Sequence, residues 1–125
     1  MEFKGSYERR LDNKRRFSLP PIVREALGDT IEGVILSEKG HTYIGLYPNS
    51  EARTRDAREE LTPQDAQTLY IKNERLTLPI SYHAITGDHI RIIGARTRVE
   101  LWDYEIAKGC EPTQEEYAKM LRALK

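Results

Sequence analysis

The chain has 125 residues, 20 of them basic and 20 acidic, so it carries no net charge and is no general polyanion binder; its length suits one domain with its own core. A single cysteine, Cys110, rules out an internal disulfide and a Cys-rich zinc motif. His41, His83 and His89 lack the spacing of a metal site, so neither metal nor cofactor is expected.

No apolar run reaches membrane-spanning length, and the first residues are too polar for a signal peptide, which predicts a soluble cytoplasmic protein with no membrane partner. Residues 3–11 alternate loosely, as a strand does. Asp12-Asn13-Lys14-Arg15 reads as a tight turn, because Asp and Asn hydrogen-bond their own backbone there, and residues 16–19 read as the return strand. Pro20-Pro21 ends that strand and suits the first turn of a helix. Ile22, Val23, Ala26 and Leu27 mark one apolar side of a short helix, with Gly28 at its C-cap. Residues 31–36 and 42–47 form a hairpin around 37–41. Asn49 or Ser50 caps a charged helix running to Glu60, and Thr62-Pro63-Gln64-Asp65 starts another helical turn.

A second series follows: a strand over 69–71, a turn at Lys72-Asn73-Glu74, a return over 75–79, a short helix ending at Gly87, and strands over 90–93 and 98–102. Thr113 and Glu116 make a capping box. Tyr117, Met120, Leu121 and Leu124 recur at helical spacing, predicting an amphipathic C-terminal helix.

The two series are copies. Arg16, Leu19, Pro20, Gly28, Asp29 and Ile31 recur 59 positions later as Arg75, Leu78, Pro79, Gly87, Asp88 and Ile90. The match resumes at an offset of 55, where Ile44, Leu46 and Tyr47 meet Val99, Leu101 and Trp102. Units that cannot close a core alone close it against their copy. The chain therefore reads as one domain of two repeats: a first unit over about 3–48, a helical linker over 49–67, a second unit over 68–103, and a helical segment over 104–125.

Charge follows the repeat. Residues 1–24 hold seven basic and three acidic side chains, and residues 67–98 hold five and two, whereas 48–66 holds three and five. Local basicity on a repeated motif is what a phosphate-binding face needs. Arg9, Arg10, Lys14, Arg15 and Arg16 place five cations within eight residues, able to meet phosphates and, for arginine, guanine edges. The same cations also discourage strand pairing at an edge. Asp12 and Arg16, four residues apart across the turn, suit an ion pair that holds it. Lys72, Asn73 and Arg75 are the second-copy candidates, with Arg75 either paired to Glu74 or turned to phosphate. Arg24 and its counterpart His83 read as surface or interface residues, Arg91, Arg96 and Arg98 as solvated charge, and Tyr47 and Trp102 as plugs of the core or an interface.

The string Tyr7-Glu8-Arg9-Arg10-Leu11-Asp12-Asn13-Lys14-Arg15-Arg16-Phe17-Ser18-Leu19-Pro20 resembles the first motif of the MraZ family of bacterial regulators. Leu46-Tyr47-Pro48 and Val99-Glu100-Leu101-Trp102-Asp103 extend the likeness over nearly the whole chain. The resemblance implies a mainly β fold with short α-helices (α+β): a pseudo-twofold, swapped-hairpin, AbrB-like β-barrel with appended helices. It also implies binding of double-stranded DNA through both turns, ring-like homo-oligomers, nucleoid association, and regulation of cell-division and cell-wall genes. The family's signature is an Asp, three residues, then Arg, with Gly before that Arg. Asp12 and Arg16 match it, with Arg15 in the glycine's place. Arg75 matches in the second copy, with Ile71 in the place of Asp and Glu74 in that of Gly. Pro20, Pro79, Gly28 and Gly87 are the structural positions of the motif.

No Gly-rich phosphate loop or nucleophile elbow occurs, and Cys110 has no nearby His, so neither an enzyme nor a small-molecule substrate is expected. The alternative to a DNA-binding regulator is an antitoxin-like or adaptor barrel whose basic turns meet an acidic protein.

Overall fold

The computed structural model describes residues 3, 5–38, 40–56 and 63–110. The elements in chain order are β1 (Ser6–Arg10), β2 (Arg16–Ser18), α1 (Pro21–Leu27), β3 (Thr30–Glu38), β4 (His41–Tyr47), α2 (Ser50–Arg55), β5 (Gln64–Lys72), β6 (Arg75–Thr77), α3 (Ile80–Thr86), β7 (His89–Gly94), β8 (Val99–Asp103) and α4 (Tyr104–Cys110). The strands form one antiparallel sheet in the order β1-β7-β8-β4-β3-β5-β6-β2, curled into a nearly closed barrel. Its open seam lies between β1 and β2, where Arg9 Nε donates to the Ser18 carbonyl at 3.1 Å.

The copies exchange strands. β1 pairs with β7 of the other copy (Arg9 opposite Ile90), and β5 pairs with β3 (Leu69 opposite Ile31). The expected return of residues 16–19 along residues 3–11 is corrected here: the turn exists, closed by Arg15 N–H to Asp12 C=O at 3.0 Å, but its flanking strands do not pair. β2 pairs instead with β6, burying Phe17 and Leu76 on its inner side.

Two ladders locate the pseudo-twofold axis. Phe17 faces Leu76, its own repeat partner, while Arg16 faces Thr77 and Ser18 faces Arg75. Gly45 faces Glu100, with Ile44 opposite Leu101 and Leu46 opposite Val99. Residues that meet their own copies lie on the axis.

Helices α1 and α3 follow from their ends. Each begins beside a proline, Pro20 or Pro79, and stops at a glycine with positive φ: Gly28 at 83° donates to Arg24 C=O, and Gly87 at 68° donates to His83 C=O. At such φ a Cβ is penalised, so glycine ends the helix there. Val23 and Leu27 are buried, but Ile22 is 72% exposed and lies off the apolar side assigned to it.

Asn49 caps α2 by accepting from Ala52 N–H at 2.7 Å. The helical turn read at 62–65 is a correction: Gln64 and Asp65 open β5. That strand is held by its ladder with β3 and by Tyr82 O–H donating to Asp65 C=O at 2.6 Å. The continuation of α2 to Glu60 and the amphipathic helix at 117–124 lie outside the described residues. Cys110 closes α4 and is not in a loop.

The main core fills the barrel with Phe17, Leu19, Ile31, Ile44, Leu46, Leu76, Leu78, Ile90, Ile92 and Leu101, among others. A second cluster, Val34, Leu36, Tyr43 and Tyr47, lies outside the barrel under Ala52 of α2 and Trp102, which stacks on Tyr43 at 4.5 Å. Beside it lies the main surprise of the fold. Arg98, read as solvated, is 1% exposed. Its guanidinium meets Asp56 at 2.6 Å, Glu100 at 2.7 Å and the Tyr43 hydroxyl at 3.0 Å, and Tyr47 donates to the same Asp56 oxygen at 2.6 Å. This network pins the end of α2 to the β4–β8 ladder.

Candidate nucleic-acid interface

The β2–β6 ribbon turns one side to the core and the other outward. Alternation of side chains puts Phe17 and Leu76 inside, and Arg16, Ser18, Arg75 and Thr77 on the opposite side. A tight turn leads into each strand, so the turns of both copies flank the pseudo-twofold axis.

Asp12 organises the first turn. One carboxylate oxygen accepts from the backbone N–H of Lys14 at 2.8 Å and of Arg16 at 3.0 Å; the other accepts from Arg16 Nε at 2.8 Å. The Arg16 amide above all, opposed by partial burial and aided by the Lys14 amide and the Arg16 guanidinium, holds the carboxyl at about 2. It is ionised throughout the neutral range. Arg15 adopts φ 61°, the left-handed conformation that glycine takes most cheaply, and its Nε donates to Leu78 C=O at 3.1 Å.

The second turn differs in length. Leu11 N–H donates to Asp88 C=O, and Ile71 N–H donates to Asp29 C=O. These two bonds correspond, so Ile71 is the counterpart of Leu11 and Lys72 follows it as Asp12 follows Leu11. Placing Ile71 opposite Asp12 is thereby corrected: the second turn is one residue shorter. It is a two-residue hairpin with Asn73 at φ 51° and Glu74 at φ 65°, the conformation for which Asn-Gly is the favoured sequence.

Glu74 therefore sits where glycine is preferred. Glu74→Gly is expected to raise stability by about 0.5 kcal/mol, the relief of roughly 1–2 kcal/mol of left-handed cost less the added entropy of the unfolded chain. Arg15→Gly should gain less, because the bond to Leu78 is lost. Urea unfolding of the two variants checks the order.

The remaining partners are specific. Arg75 does not pair with Glu74: its Nη1 lies 3.6 Å from the Asp12 oxygen that Arg16 uses, and Glu74 lies 3.5 Å from Arg24. Arg10, Asp12, Arg16 and Arg75 line one shallow cleft of about 240 Å³, with Leu11, Phe17 and Ser18. Lys14 is exposed at the first turn, and Lys72 and Asn73 are exposed at the second. Arg9 is half-buried at the barrel seam, its guanidinium on the carbonyls of Ser18 and Glu8. The eight candidate cations and amides thus divide into an arginine cleft on the axis, two exposed turns, and Arg9 and Arg15 with bonds to backbone.

One acid at this end went unread in the sequence, and another takes a partner other than the one considered there. Glu8 meets His89 at 2.5 Å, and Glu74 meets Arg24. The repeat register held the clue, since His89 faces Arg10 only once the strands are exchanged. Among the described residues, no three His, Cys, Asp or Glu side chains are grouped to hold a metal ion, and no helix is long and apolar enough to cross a membrane.

An outward ribbon with two arginines on one carboxylate, a third from β1 in the same cleft and exposed lysines beside them, suits a polyanion whose charges are spaced along a groove. Arginine adds bidentate recognition of phosphate or of guanine edges. No family model matches the chain. Curated proteins do. Over 120 residues it is 31% identical to "Transcriptional regulator MraZ" of Micrococcus luteus, covering 82% of each chain. It is 29% identical over 136 residues to the protein of that name in Cutibacterium acnes, covering 94% of each. The one in Dehalococcoides mccartyi is 28% identical over 134 residues, covering 93% of this chain and 92% of its own.

Proposed function

The chain belongs to the MraZ family, and from that premise we propose that it is a sequence-specific, DNA-binding regulator of transcription. The observation that carries this reading is the outward β2–β6 ribbon, where Arg16 and Arg75 share one cleft with Arg10 of β1 between two basic turns. The exposed Lys14 and Lys72 meet backbone phosphates, Arg16 reads a base edge, and Asp12 holds Arg16 in place. One ribbon covers few base pairs. We therefore assign affinity to several subunits of a ring-like homo-oligomer binding repeated sites together, in the cytoplasm at the nucleoid. Zero net charge suits that arrangement: each contact is weak alone and the array binds tightly. The target class proposed is the promoter of a cell-division or cell-wall gene cluster. The protein acts without catalysis or cofactor.

Binding to a fluorescent duplex from its own upstream region, at several salt concentrations, tests this. Preference for that duplex over a scrambled one is expected to survive moderate salt. Arg16→Ala should weaken binding roughly 5–150-fold, the range of about 1–3 kcal/mol for one bidentate base contact. Weak binding lost equally from both duplexes would instead favour the adaptor barrel.

A further inference from the structure

Arg75 is the repeat counterpart of Arg16, yet its surroundings differ. Arg16 takes its acid from its own turn. The second turn is one residue shorter and offers Lys72 at that place, while Glu74 is turned to Arg24. Arg75 instead reaches across the ribbon to Asp12, on the oxygen that Arg16 already holds. Diagonal neighbours on one side of a two-stranded ribbon lie within reach of long side chains, so two arginines there repel unless an anion lies between them. Asp12 is that anion. Its other oxygen fixes the backbone of Lys14 and Arg16, so whatever fixes Asp12 also sets the first turn.

We propose that Arg75 is a positioning residue: it acts on DNA through Asp12, holding the first turn in its reading geometry, and makes no phosphate contact of its own. The second copy thereby braces the first. This inference rests on the DNA-binding reading above and specifies how its two halves share the work.

The test measures affinity for the upstream and scrambled duplexes across a salt series with the full chain, Arg75→Ala, Asp12→Asn, the double variant and Lys14→Ala. Arg75 is half exposed, and melting by circular dichroism verifies that each variant is folded. Arg75→Ala is expected to cut the preference for the upstream duplex by about 5- to 10-fold and leave the slope of log affinity against log salt unchanged. In the Asp12→Asn background it should add nothing, as coupling through a shared partner requires. Lys14→Ala should lower the slope by about one and leave the preference intact. A slope lowered by about one in Arg75→Ala, or effects that simply add in the double variant, would overturn the assignment to Arg75 alone. Absence of any preference in the unsubstituted chain would overturn the DNA-binding reading itself and this inference with it.

Discussion

Replacing Arg98 with methionine is expected to lower the free energy of unfolding by about 3–5 kcal/mol, because it takes the guanidinium out of the centre of a buried ion network. In a chain of this size that is a fall in Tm of about 10–20 °C. Methionine fills similar space, so the loss is mainly electrostatic. Asp56 and Glu100, at 6% and 11% side-chain exposure, would both lose the guanidinium they share.

The pH dependence distinguishes this from a packing defect. In the intact protein burial raises the Asp56 carboxyl, but the bonds from Tyr47, Arg98 and Thr97 outweigh it and hold the group below its ordinary 3.8. That contribution to stability is present above about pH 4 and is lost as pH falls through the folded value. Without Arg98 the bonds from Tyr47 and Thr97 remain but burial is less opposed, so the Asp56 carboxyl rises and the penalty shrinks on acidification. The gap between the two proteins should therefore be widest near neutrality and narrow toward about pH 4. Urea titrations at both ends of that range measure it. A gap independent of pH, or below about 1 kcal/mol, would show that the network contributes little. The ribbon is remote from this cluster, so DNA binding at low temperature should persist.

Phe17→Ala is the second large effect and the opposite case. Phe17 is 3% exposed and meets Leu76 on the pseudo-twofold axis, at the base of the outward ribbon. Deleting a buried aromatic side chain costs about 3–5 kcal/mol through lost transfer energy and the cavity left behind. Phe17→Leu, which places leucine at both axial positions, should cost less than about 1.5 kcal/mol. Arg16 and Arg75 flank the axial pair, so Phe17→Ala should also weaken DNA binding at temperatures where the protein remains folded. Thermal melts together with binding isotherms check both parts. Undiminished binding by folded Phe17→Ala would show that the ribbon does not depend on its axial packing.

The repeat made the barrel legible, because Leu-Pro, Gly-Asp and the apolar strand positions recur in register. Strand exchange left no such trace: residues 3–11 and 16–19 alternate equally well whether they pair with each other or with the other copy. The strand from Gln64 to Thr68 was hidden by its polar side chains, which lie on an exposed stretch of the sheet. Lys72 hid in the place of Asp12 because one deleted residue is absorbed inside the turn, and the identities resume at Arg75. Arg98 was misread for a thermodynamic reason. A lone arginine belongs in water, and only the fold brings Asp56 and Tyr43, 42 and 55 residues away, to its guanidinium. The candidate cations were legible as a group, but their division between DNA, backbone and Asp12 depends on distances that no spacing encodes.

Strand exchange also has a consequence for the order of events during synthesis. β1 is made before its partner β7, which follows about 80 residues later, as the 81-residue separation of Glu8 and His89 shows. At roughly 5–20 residues per second the first strand waits about 4–16 s for its ladder. Throughout that wait it is an unpaired edge beside other nascent chains. Glu8, Arg9 and Arg10 are the side chains that keep such an edge from joining a stranger. Three consecutive charges on β1 thus suit an edge that waits for β7.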